Sequence, residues 1–527
     1  MVSDAVVVGG GHNGLVAAAT LADAGWDVTV LEAQAEPGGA VRSAELKSGY
    51  HSDLFSAFHP LAAVSPALRA LDLAEHGLRW SHAPVPYGHA LAPDATDAVV
   101  VHRDPAETAE QLARYDPRDG HAWLELVEQW QLRKPAILAS LFGPFPPVRG
   151  LLSIVRKLGI GDATRLARFL LLPANRMVTE LFHSDHARLP ILGNAMHADV
   201  PLDAPGSGIM GYLLTMLAQD TGFPVPVGGA GALTDALVRR CESVGVRIEC
   251  DRPVVGIETV AGRARAARTA DGTLWHARRA IIANTSAPNL YQNLLPAGTV
   301  PVRVLEDLEH FEWDAPVVKV NYAVREPIPW NSKNLGQAGT VHIGANMQGL
   351  VRWMADINTG VVPRDPFLIV GQMTTADPSR SPEGTESAWA YTHLPRGVTD
   401  DSAALSLAAR VDEVLEAHAP GFRDLLIGRH VQTPADLAEA DANLHAGAVN
   451  GGTSQLHQQL IFRPTPGLGR AETPIDRLYL GSASAHPGGG VHGVCGRNAA
   501  RSALAADGVT GLPRRILTRK TIDLWTR

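Results

Sequence analysis

The segment DAVVVGGGHNGLVAAATLADAGWDVTVLE, residues Asp4–Glu32, decides the fold of this chain. Ala5–Val8 is a short, mostly β-branched apolar run, which predicts a buried parallel strand. Leu15–Ala24 is rich in alanine and predicts a helix that ends at Gly25. Asp27–Leu31 predicts a second strand. The strand, turn, helix and second strand together predict a βαβ unit.

Three glycines occupy the turn between the first strand and the helix, in the pattern G-x-G-x-x-G. Gly9 permits the tight turn, Gly11 lets the backbone approach a pyrophosphate, and Gly14 lets the helix pack closely on the strand. The helix N-terminus offers N–H groups to phosphates. Glu32 follows Gly14 by 18 residues and is placed to accept hydrogen bonds from ribose hydroxyls. The turn therefore predicts dinucleotide binding, with contacts from Gly9, Gly11, His12, Asn13, Gly14, Glu32 and Ala33.

The segment EPGGAVR, residues 36–42, follows the second strand directly. It resembles the stretch that flavoproteins of the glutathione-reductase type place beside the pyrophosphate of FAD. In those proteins an arginine usually follows the two glycines, whereas here Ala40 holds that place and Arg42 comes two residues later. The resemblance implies that Gly38, Gly39, Ala40 and Arg42 contact the cofactor.

A second block, residues 225–284, predicts a helix ending near Gly245, three short strands and a hairpin at Asp271 and Gly272. The strands are expected at Val246–Glu249, Pro253–Ile257 and Ala280–Ala283. This order resembles the part of a flavoprotein that returns to the nucleotide domain and adds strands to it. The resemblance implies that the backbone of Val254 meets the adenine and that Asn284, after the last strand, contacts the cofactor.

The C-terminal block begins with a strand at Leu478–Gly481 and enters a predicted helix at Val491–Ala505. The loop between them contains a second G-x-G-x-x-G at Gly488, Gly490 and Gly493. No strand ending in an acid follows, so this motif does not predict a second nucleotide site. We expect the helix N-terminus to face the flavin ring, where N–H groups and the helix dipole stabilise negative charge. The predicted contacts are Gly481, Ser482, Gly490, Val491, His492 and Gly493.

The middle of the chain predicts a substrate domain with a mixed sheet and helices. Residues 127–212 are helix-rich, and residues 150–182 combine apolar clusters with basic side chains. Such a stretch either lies on an anionic bilayer surface or forms ordinary helices whose basic residues face solvent. In both cases it is expected to cover an apolar substrate chamber. Strands are expected at Pro316–Arg325, Asn346–Trp353, Phe367–Thr374 and Ala388–Leu394.

Three long motifs together resemble a known family. VVVGGGHNGLVAAATLADAGWDVTVLEAQAEPGGAV, PVGGAGALTDAL and LYLGSASAHPGGGVHGVCGRNAA are similar to segments of phytoene-desaturase-related flavoproteins. GGGHNG, AHPGGG and APGSG bring the chain nearest to the branch of pyridine nucleotide-disulfide oxidoreductase domain-containing protein 2 and carotenoid ketolases. The resemblance implies an α/β fold in which a glutathione-reductase-type FAD-binding Rossmann domain is interleaved with a mixed-sheet and helical substrate domain. The expected boundaries are 1–75, 220–290 and 470–510 for the first domain and 76–219 and 291–469 for the second.

The resemblance implies an FAD-dependent oxidoreductase, acting as a dehydrogenase, desaturase or oxidase. The leading hypothesis is oxidation of an apolar, isoprenoid-like or carotenoid-like molecule by hydride transfer to flavin N5, with oxygen, a quinone or another molecule as electron acceptor. Oxygenation and isomerisation stay open as alternatives. An FAD amine oxidase shares the fold, although no clear aromatic pair stands beside the C-terminal motif. A non-catalytic escort for apolar ligands is a third hypothesis, against which the intact glycines and Glu32 argue.

Three side chains are candidates for catalysis. His492 lies inside the C-terminal glycine turn. It either donates a hydrogen bond or acts as an acid or base beside the flavin near neutral pH, or it faces solvent at the start of the helix. His59, in SAFHP, and Tyr50 are candidates for lining the flavin ring. Cys495 is expected to be a small packed side chain.

Composition limits the class of protein. The chain has 527 residues, a formal net charge of -8 and 45% hydrophobic residues, which indicate a globular protein of two domains with no nucleic-acid partner. Its three cysteines lack CxxC spacing, so neither a disulfide framework nor a metal site is expected. No stretch reaches the roughly 20 apolar residues of a membrane-spanning helix. These features favour a cytoplasmic location, with any membrane association limited to surface contact.

Overall fold

The computed structural model describes residues 1–526, which form two large sheets and a helical layer. The strands are β1 Val2–Val8, β2 Val28–Leu31, β3 Ser43–Lys47, β4 Tyr50–Asp53, β5 Trp80–Ser81, β6 Val85–Ala90, β7 Val99–Val101, β8 Val225–Pro226, β9 Arg247–Glu249, β10 Val254–Val260, β11 Arg263–Thr269, β12 Leu274–Ala283, β13 Val317–Val324, β14 Ala338–Ile343, β15 Leu368–Gln372, β16 Glu386–His393, β17 Leu426–Gln432 and β18 Leu478–Leu480. The helices are α1 His12–Asp23, α2 Pro60–Val64, α3 Pro66–Arg69, α4 Pro105–Ala113, α5 Pro117–Leu141, α6 Val148–Leu171, α7 Ala174–Leu181, α8 Asp185–Ala195, α9 Gly208–Asp220, α10 Gly231–Ser243, α11 Val302–Leu308, α12 Met347–Asn358, α13 Met373–Ala376, α14 Asp401–His418, α15 Pro434–Ala440, α16 Val494–Ala506 and α17 Leu512–Trp525.

The first large sheet is built around the N-terminal βαβ unit. β1 lies between β12 and β2, parallel to both, and β9 extends the sheet beyond β2. The carboxyl end of β12 also pairs in parallel with β18, so the last strand of the chain shares a sheet with the first. β10 and β11 form an antiparallel ribbon against β12. α1 packs on this sheet through buried alanine, leucine and valine side chains, and the predicted Rossmann unit is confirmed.

The second large sheet has the strand order β17-β13-β16-β15-β14-β6-β7. Neighbouring strands run antiparallel except β14 and β6, which are parallel. Helices α8 and α9 pack on its β6 side, which confirms a mixed sheet covered by helices. The strands of each sheet come from the segments expected for that domain, while the domain boundaries stay a prediction.

The strand predicted at Asn346–Trp353 is wrong, because this segment begins a helix. Asn346 precedes helix α12 and caps it, because its Oδ1 accepts a hydrogen bond from the Gly349 amide at 3.1 Å. The apolar residues here recur with the three-and-four spacing of an amphipathic helix, which a short apolar run conceals. The buried residues of α12 are Leu350, Trp353, Met354 and Ile357.

Residues 150–182 form helices α6 and α7 at the surface of the helical layer. α6 breaks at Gly159, whose φ is 76°. Leu151, Leu152 and Ile160 are 53%, 58% and 77% exposed, so this helix shows much of its apolar surface to solvent. Within residues 1–526, no helix has the length and apolar character needed to cross a bilayer.

Candidate active site

A cavity of about 1170 Å³ lies between the two large sheets. Val8 and Leu31, the last residues of β1 and β2, line it, so it meets the carboxyl edge of the first sheet. Ile154 and Leu170 of α6 line another part, and the wall is mainly apolar. The volume exceeds the roughly 300–1,000 Å³ of a pocket for one ligand. It therefore has room for a dinucleotide and a second molecule.

The glycine turn before α1 forms one wall of the cavity. Gly9 has a φ of 94°, and a Cβ there would come within 2.9 Å of the Asn284 carbonyl oxygen. A Cβ at Gly14 would lie 2.0 Å from the Gly9 carbonyl oxygen. α1 begins after Gly11 without a side-chain cap, so no side chain covers its first amides, where the helix dipole favours a phosphate. The turn thus fits the pyrophosphate of a dinucleotide.

Glu32 lies beside this turn, directly after β2. Its Oε2 accepts a hydrogen bond from the Gly10 amide at 2.6 Å, and its Oε1 accepts one from the Gln34 amide at 2.9 Å. These bonds fix the carboxylate and leave further lone pairs for ribose hydroxyls. Asn284 donates from Nδ2 to the Gly9 carbonyl oxygen at 3.3 Å, which ties the end of β12 to the same turn.

The Gly-Gly segment after β2 meets the cavity only through Gly39 and Ala40. Arg42 instead donates from Nε to the Gly39 carbonyl oxygen at 3.0 Å and from Nη2 to the Ala440 carbonyl oxygen at 2.8 Å. These two bonds hold the loop in place. Arg42 does not line the cavity, and its cofactor contact stays a prediction. Gly38 lies behind the loop, where a Cβ would press on the Arg42 side chain at 2.8 Å.

The C-terminal glycine turn forms a further wall of the cavity. α16 begins at Val494, three residues later than predicted, because Gly493 has a φ of 68° and is the residue before the helix. Gly493 and Gly481 lie behind the wall, since a Cβ would come within 2.7 Å of Val16 and 3.0 Å of Ile282 respectively. The residues of this block that line the cavity include Ser482, Gly490, Val491 and His492.

Three histidines line the cavity: His12 and His492 lie at the two glycine turns, and His59 precedes α2. Burial lowers the pKa of His12 and of His59 to about 4 and that of His492 to about 3. His492 Nδ1 accepts a hydrogen bond from the Val494 amide at 3.1 Å, which leaves Nε2 as the N–H group. These pKa values keep the three rings neutral near pH 7, which favours hydrogen bonding over proton exchange by His492. The catalytic role of His492 stays a prediction. In the described part of the chain, His12 Nε2 and His59 Nδ1 are buried without partners, as expected of groups that meet a bound cofactor.

Two other candidates from the sequence lie outside the cavity lining. Tyr50 is the first residue of β4, opposite Lys47 in the β3–β4 hairpin, and is 5% exposed. Its predicted place at the flavin ring is therefore corrected to packing in the hairpin. Cys495 is fully buried, and burial raises the pKa of its thiol to about 11, in keeping with a packed side chain.

A buried cluster of charges supports the wall between the two domains. Asp53 Oδ2 lies 2.7 Å from Arg380 Nη2, and both side chains are 0% exposed. Burial acts to raise the pKa of Asp53, but the charge and hydrogen bonds of Arg380 and its neighbours outweigh it and lower that pKa. Lys319 lines the cavity and donates from Nζ to the carbonyl oxygens of Asp53 and Phe55. Burial lowers the pKa of Lys319 to about 7, so its charge changes near neutral pH.

Several residues that line the cavity are not among those predicted from the sequence. Trp389 and Tyr391 lie on one face of β16, with ring centroids 5.8 Å apart. The alternation W-A-Y-T-H is a usable signal for them, because the two-residue period of a strand puts Trp389, Tyr391 and His393 on one face. His197 and Asp441 also line the cavity, and burial raises the pKa of Asp441 to about 6. No local pattern marks these two, since tertiary packing alone brings them here.

The structure gathers most of the predicted cofactor contacts around one cavity. Those that line it are Gly9, Gly11, His12, Asn13, Glu32, Ala33, Gly39, Ala40, Val254, Asn284, Ser482, Gly490, Val491 and His492. Those that do not line it are Gly14, Gly38, Arg42, Gly481 and Gly493. The individual contacts with the cofactor stay predictions, but the glycine turns, the carboxylate and the partnerless imidazoles fit an adenine dinucleotide that carries a flavin.

A nucleotide-binding sheet with a parallel core, a mixed second sheet and a shared cavity with glycine turns from both ends of the chain are the features of a flavoprotein oxidoreductase. The family model described as flavin containing amine oxidoreductase matches residues 14–504, and the chain belongs to this family. Its cofactor is FAD, and the protein is an FAD-dependent oxidoreductase.

The chain is similar to known proteins along most of its length. It is 27% identical over 547 residues to pyridine nucleotide-disulfide oxidoreductase domain-containing protein 2 of Rattus norvegicus, covering 94% of this chain and 92% of that protein. It is 25% identical over 503 residues to a lycopene-forming phytoene desaturase of Pseudescherichia vulneris, covering 93% and 96%. An oxidoreductase from Methanosarcina mazei shares the fold with a TM-score of 0.63 and 16% identity, over 96% of this chain and 100% of that one. The resemblance to phytoene-desaturase-related flavoproteins is confirmed, and the non-catalytic escort is set aside.

Proposed function

We propose that the protein dehydrogenates a long apolar, isoprenoid-like substrate at its flavin. The supporting observation is the cavity, which continues from the glycine turns to apolar residues of α6 and α9. Within residues 1–526 its acidic lining residues are Glu32 and Asp441, both beside glycines of the nucleotide turns. A cationic substrate would find no carboxylate beyond these turns. An apolar one would gain about 25 cal/mol for each Å² of surface that it buries.

The chain's own residues set the conditions for this reaction. Bound FAD supplies the acceptor for a hydride. The cavity wall orients the substrate and excludes water. In its neutral form the Lys319 amine has two N–H groups, which the carbonyl oxygens of Asp53 and Phe55 satisfy, and one lone pair. Because its pKa is about 7, Lys319 is suited to accept the proton that the substrate loses along with the hydride.

Amine oxidation is the second candidate function. Trp389 and Tyr391 lie with their rings 28° apart in plane, and Lys319 Nζ lies 5.4 Å from the Trp389 ring centroid. Aromatic faces attract cations, so this wall offers the aromatic pair that the C-terminal motif lacks. The neighbouring Lys319, when charged, opposes an ammonium group at the same wall, which favours the apolar substrate.

Anaerobic reduction of the bound flavin separates the two candidates. FAD-loaded protein is mixed with polyprenyl hydrocarbons and, in parallel, with mono- and diamines, and the flavin absorbance is followed. We expect at least one apolar compound to bleach the flavin and the amines at the same concentration to leave it oxidised. Bleaching by amines alone would contradict the proposed substrate class. Dithionite shows in each sample that the flavin is reducible.

We also propose that the first half of α6 rests on an anionic bilayer. Leu151 and Leu152 are more than half exposed, and Leu151 and Ile154 also line the cavity. Arg156 and Lys157 on the same half form no ion pair in the described part of the chain. An apolar surface flanked by basic side chains binds anionic lipid. A cytoplasmic protein docked in this way would receive its substrate from the bilayer, and oxygen or a membrane quinone would accept its electrons.

A further inference from the structure

One patch of the cavity wall carries polar groups that the proposed chemistry does not use. His197 lines the cavity, and its Nε2 lies 2.9 Å from Nε2 of His342. Thr340 and Tyr391 also line the cavity. Thr340 Oγ1 is buried without a hydrogen-bond partner, and no described residue hydrogen-bonds the Tyr391 hydroxyl. Polar atoms in an apolar cavity are unfavourable unless a ligand or water binds them. The patch therefore points to a polar group on the ligand.

The surroundings of His342 decide which nitrogen of His197 carries the proton. His342 Nδ1 is buried beside Gly193, where a Cβ would lie 2.4 Å from it, and it has no hydrogen-bond partner among the described residues. An N–H group there would go unsatisfied, which favours the proton on the nitrogen that has an acceptor. The proton of His342 is then on Nε2, which donates to His197 Nε2. His197 consequently carries its own proton on Nδ1. This N–H has no partner within residues 1–526 and is available to a ligand in the cavity.

Tyr391 and His197 are connected through a short run of contacts. The Tyr391 ring packs edge-on against the His393 ring at 5.6 Å, and His393 Nε2 lies 2.9 Å from Asp199 Oδ1. Asp199 follows His197 by two residues, and Asn450 donates from Nδ2 to its Oδ2 at 3.2 Å. Both oxygens of the carboxylate thus have partners within the protein, so neither is left to meet a ligand in the cavity. A neutral N–H and a neutral hydroxyl remain to meet the ligand.

We propose that His197 Nδ1 and the Tyr391 hydroxyl form a subsite for an uncharged oxygen, a carbonyl or a hydroxyl, on an otherwise apolar substrate. The proposal rests on the proposed function, because it takes an apolar ligand in the cavity as given. Burial lowers the pKa of His197 to about 4, so the ring offers a hydrogen bond but no positive charge at neutral pH. A carbonyl or alcohol oxygen matches this pair of partners better than a carboxylate does.

The subsite is tested by binding of matched probes to the full-length, FAD-loaded protein. The probes are geranylgeraniol, the hydrocarbon of the same skeleton without the hydroxyl, and the corresponding carboxylic acid, each titrated against the flavin absorbance. The variants are Tyr391→Phe, His197→Leu and His197→Asn, whose amide N–H can replace Nδ1. Tyr212→Phe is the control, since it removes a partnerless hydroxyl that lies outside the cavity lining.

We expect the wild-type protein to bind the alcohol more tightly than the hydrocarbon or the acid. Tyr391→Phe and His197→Leu should each weaken alcohol binding about 3- to 10-fold, as loss of one hydrogen bond does, and leave hydrocarbon binding within about twofold. His197→Asn and Tyr212→Phe should bind the alcohol nearly as the wild type does. Equal changes for alcohol and hydrocarbon, or tightest binding of the acid, would overturn the subsite while the apolar-substrate function stands. Binding of none of the three probes would overturn both.

Discussion

Gly496 and Asn13 lie in close contact although they are 483 positions apart in the chain. The Gly496 amide donates to Asn13 Oδ1 at 3.4 Å, and a Cβ at Gly496 would lie 1.8 Å from the Asn13 carbonyl oxygen. The contact holds α16 against α1, and a glycine turn that lines the cavity precedes each helix. The two ends of the chain thus build one cofactor site.

Gly496→Ala is expected to reduce FAD binding. The new methyl group has no space beside the Asn13 carbonyl oxygen, so α16 must shift and move the turn that holds His492. Such overpacking costs about 1–3 kcal/mol, and a loss near 1.4 kcal/mol in cofactor binding is about tenfold in affinity. The FAD content of the purified protein, read from its absorbance, should fall clearly. Gly336→Ala, where a Cβ meets no atom within 4 Å, is the control, and equal FAD content in both variants would contradict the tight contact.

Arg380→Met is expected to destabilise the fold strongly. It leaves the fully buried Asp53 carboxylate without its counter-ion, and breaking a buried pair in this way costs about 3–5 kcal/mol. The free energy of unfolding in urea measures the loss. Adding Asp53→Asn should recover part of it, because the amide oxygen can still accept from the Ala230 amide. Arg165→Ala, at an exposed pair, should cost less than about 1 kcal/mol. Similar losses for Arg380→Met and Arg165→Ala would disprove the role given to the buried pair.

Lys319 should make stability depend on pH above neutrality. Burial places its pKa at about 7 in the folded protein, below the ordinary value of 10.5. Between these values the unfolded chain binds a proton that the folded chain does not, so stability rises with pH, by at most about 1.4 kcal/mol per unit. Below about pH 7 this contribution is constant. Lys319→Met should remove the rise when unfolding is measured at pH 7 and pH 9.

The exposed Lys333→Met controls for the loss of one positive charge. We expect it to keep the rise seen in the wild type. If wild type and Lys319→Met gain the same stability between the two pH values, Lys319 is not the buried group that titrates.

Leu152→Glu is expected to weaken membrane binding. Leu152 is 58% exposed on α6, and a carboxylate there opposes both the apolar contact and the attraction to anionic lipid. Flotation with phosphatidylcholine vesicles that contain phosphatidylglycerol should show at least about a threefold drop in bound protein. A threefold drop requires no more free energy than the loss of one buried leucine contact. Leu405→Glu, at a residue 53% exposed on α14, should bind as the wild type does. Undiminished binding of Leu152→Glu would exclude α6 as the docking surface.

The nucleotide site could be predicted from sequence because its signals are local. Gly9, Gly14 and Glu32 all act within one βαβ unit, so their spacing specifies their geometry. Arg42 is a residue whose hydrogen-bond partner cannot be predicted from local spacing. Its place near the Gly-Gly pair suggests a cofactor contact by resemblance, although Ala40 holds the usual place of the arginine. Arg42 donates to Ala440, 398 residues later, and only the tertiary fold reveals that partner.

Part of the cavity wall contributed by the second sheet could also be predicted from the sequence. The alternation in β16 places Trp389 and Tyr391 on one face, but it does not show that this face meets the flavin domain. Asn346 begins a helix because its cap and a longer apolar period outweigh a short β-like run. His197 gains its role from His342 and Gly193, which only packing brings beside it.

A crystal structure of the FAD-loaded protein, at a resolution that shows the cofactor, tests the central claim most directly. We predict that the adenine end of FAD lies at Glu32 and Val254 and that its ring lies against the turn at Gly490 and His492. Beyond the ring, an apolar space should continue to α6. A flavin ring far from that turn, or a short polar pocket in place of the apolar space, would contradict the account.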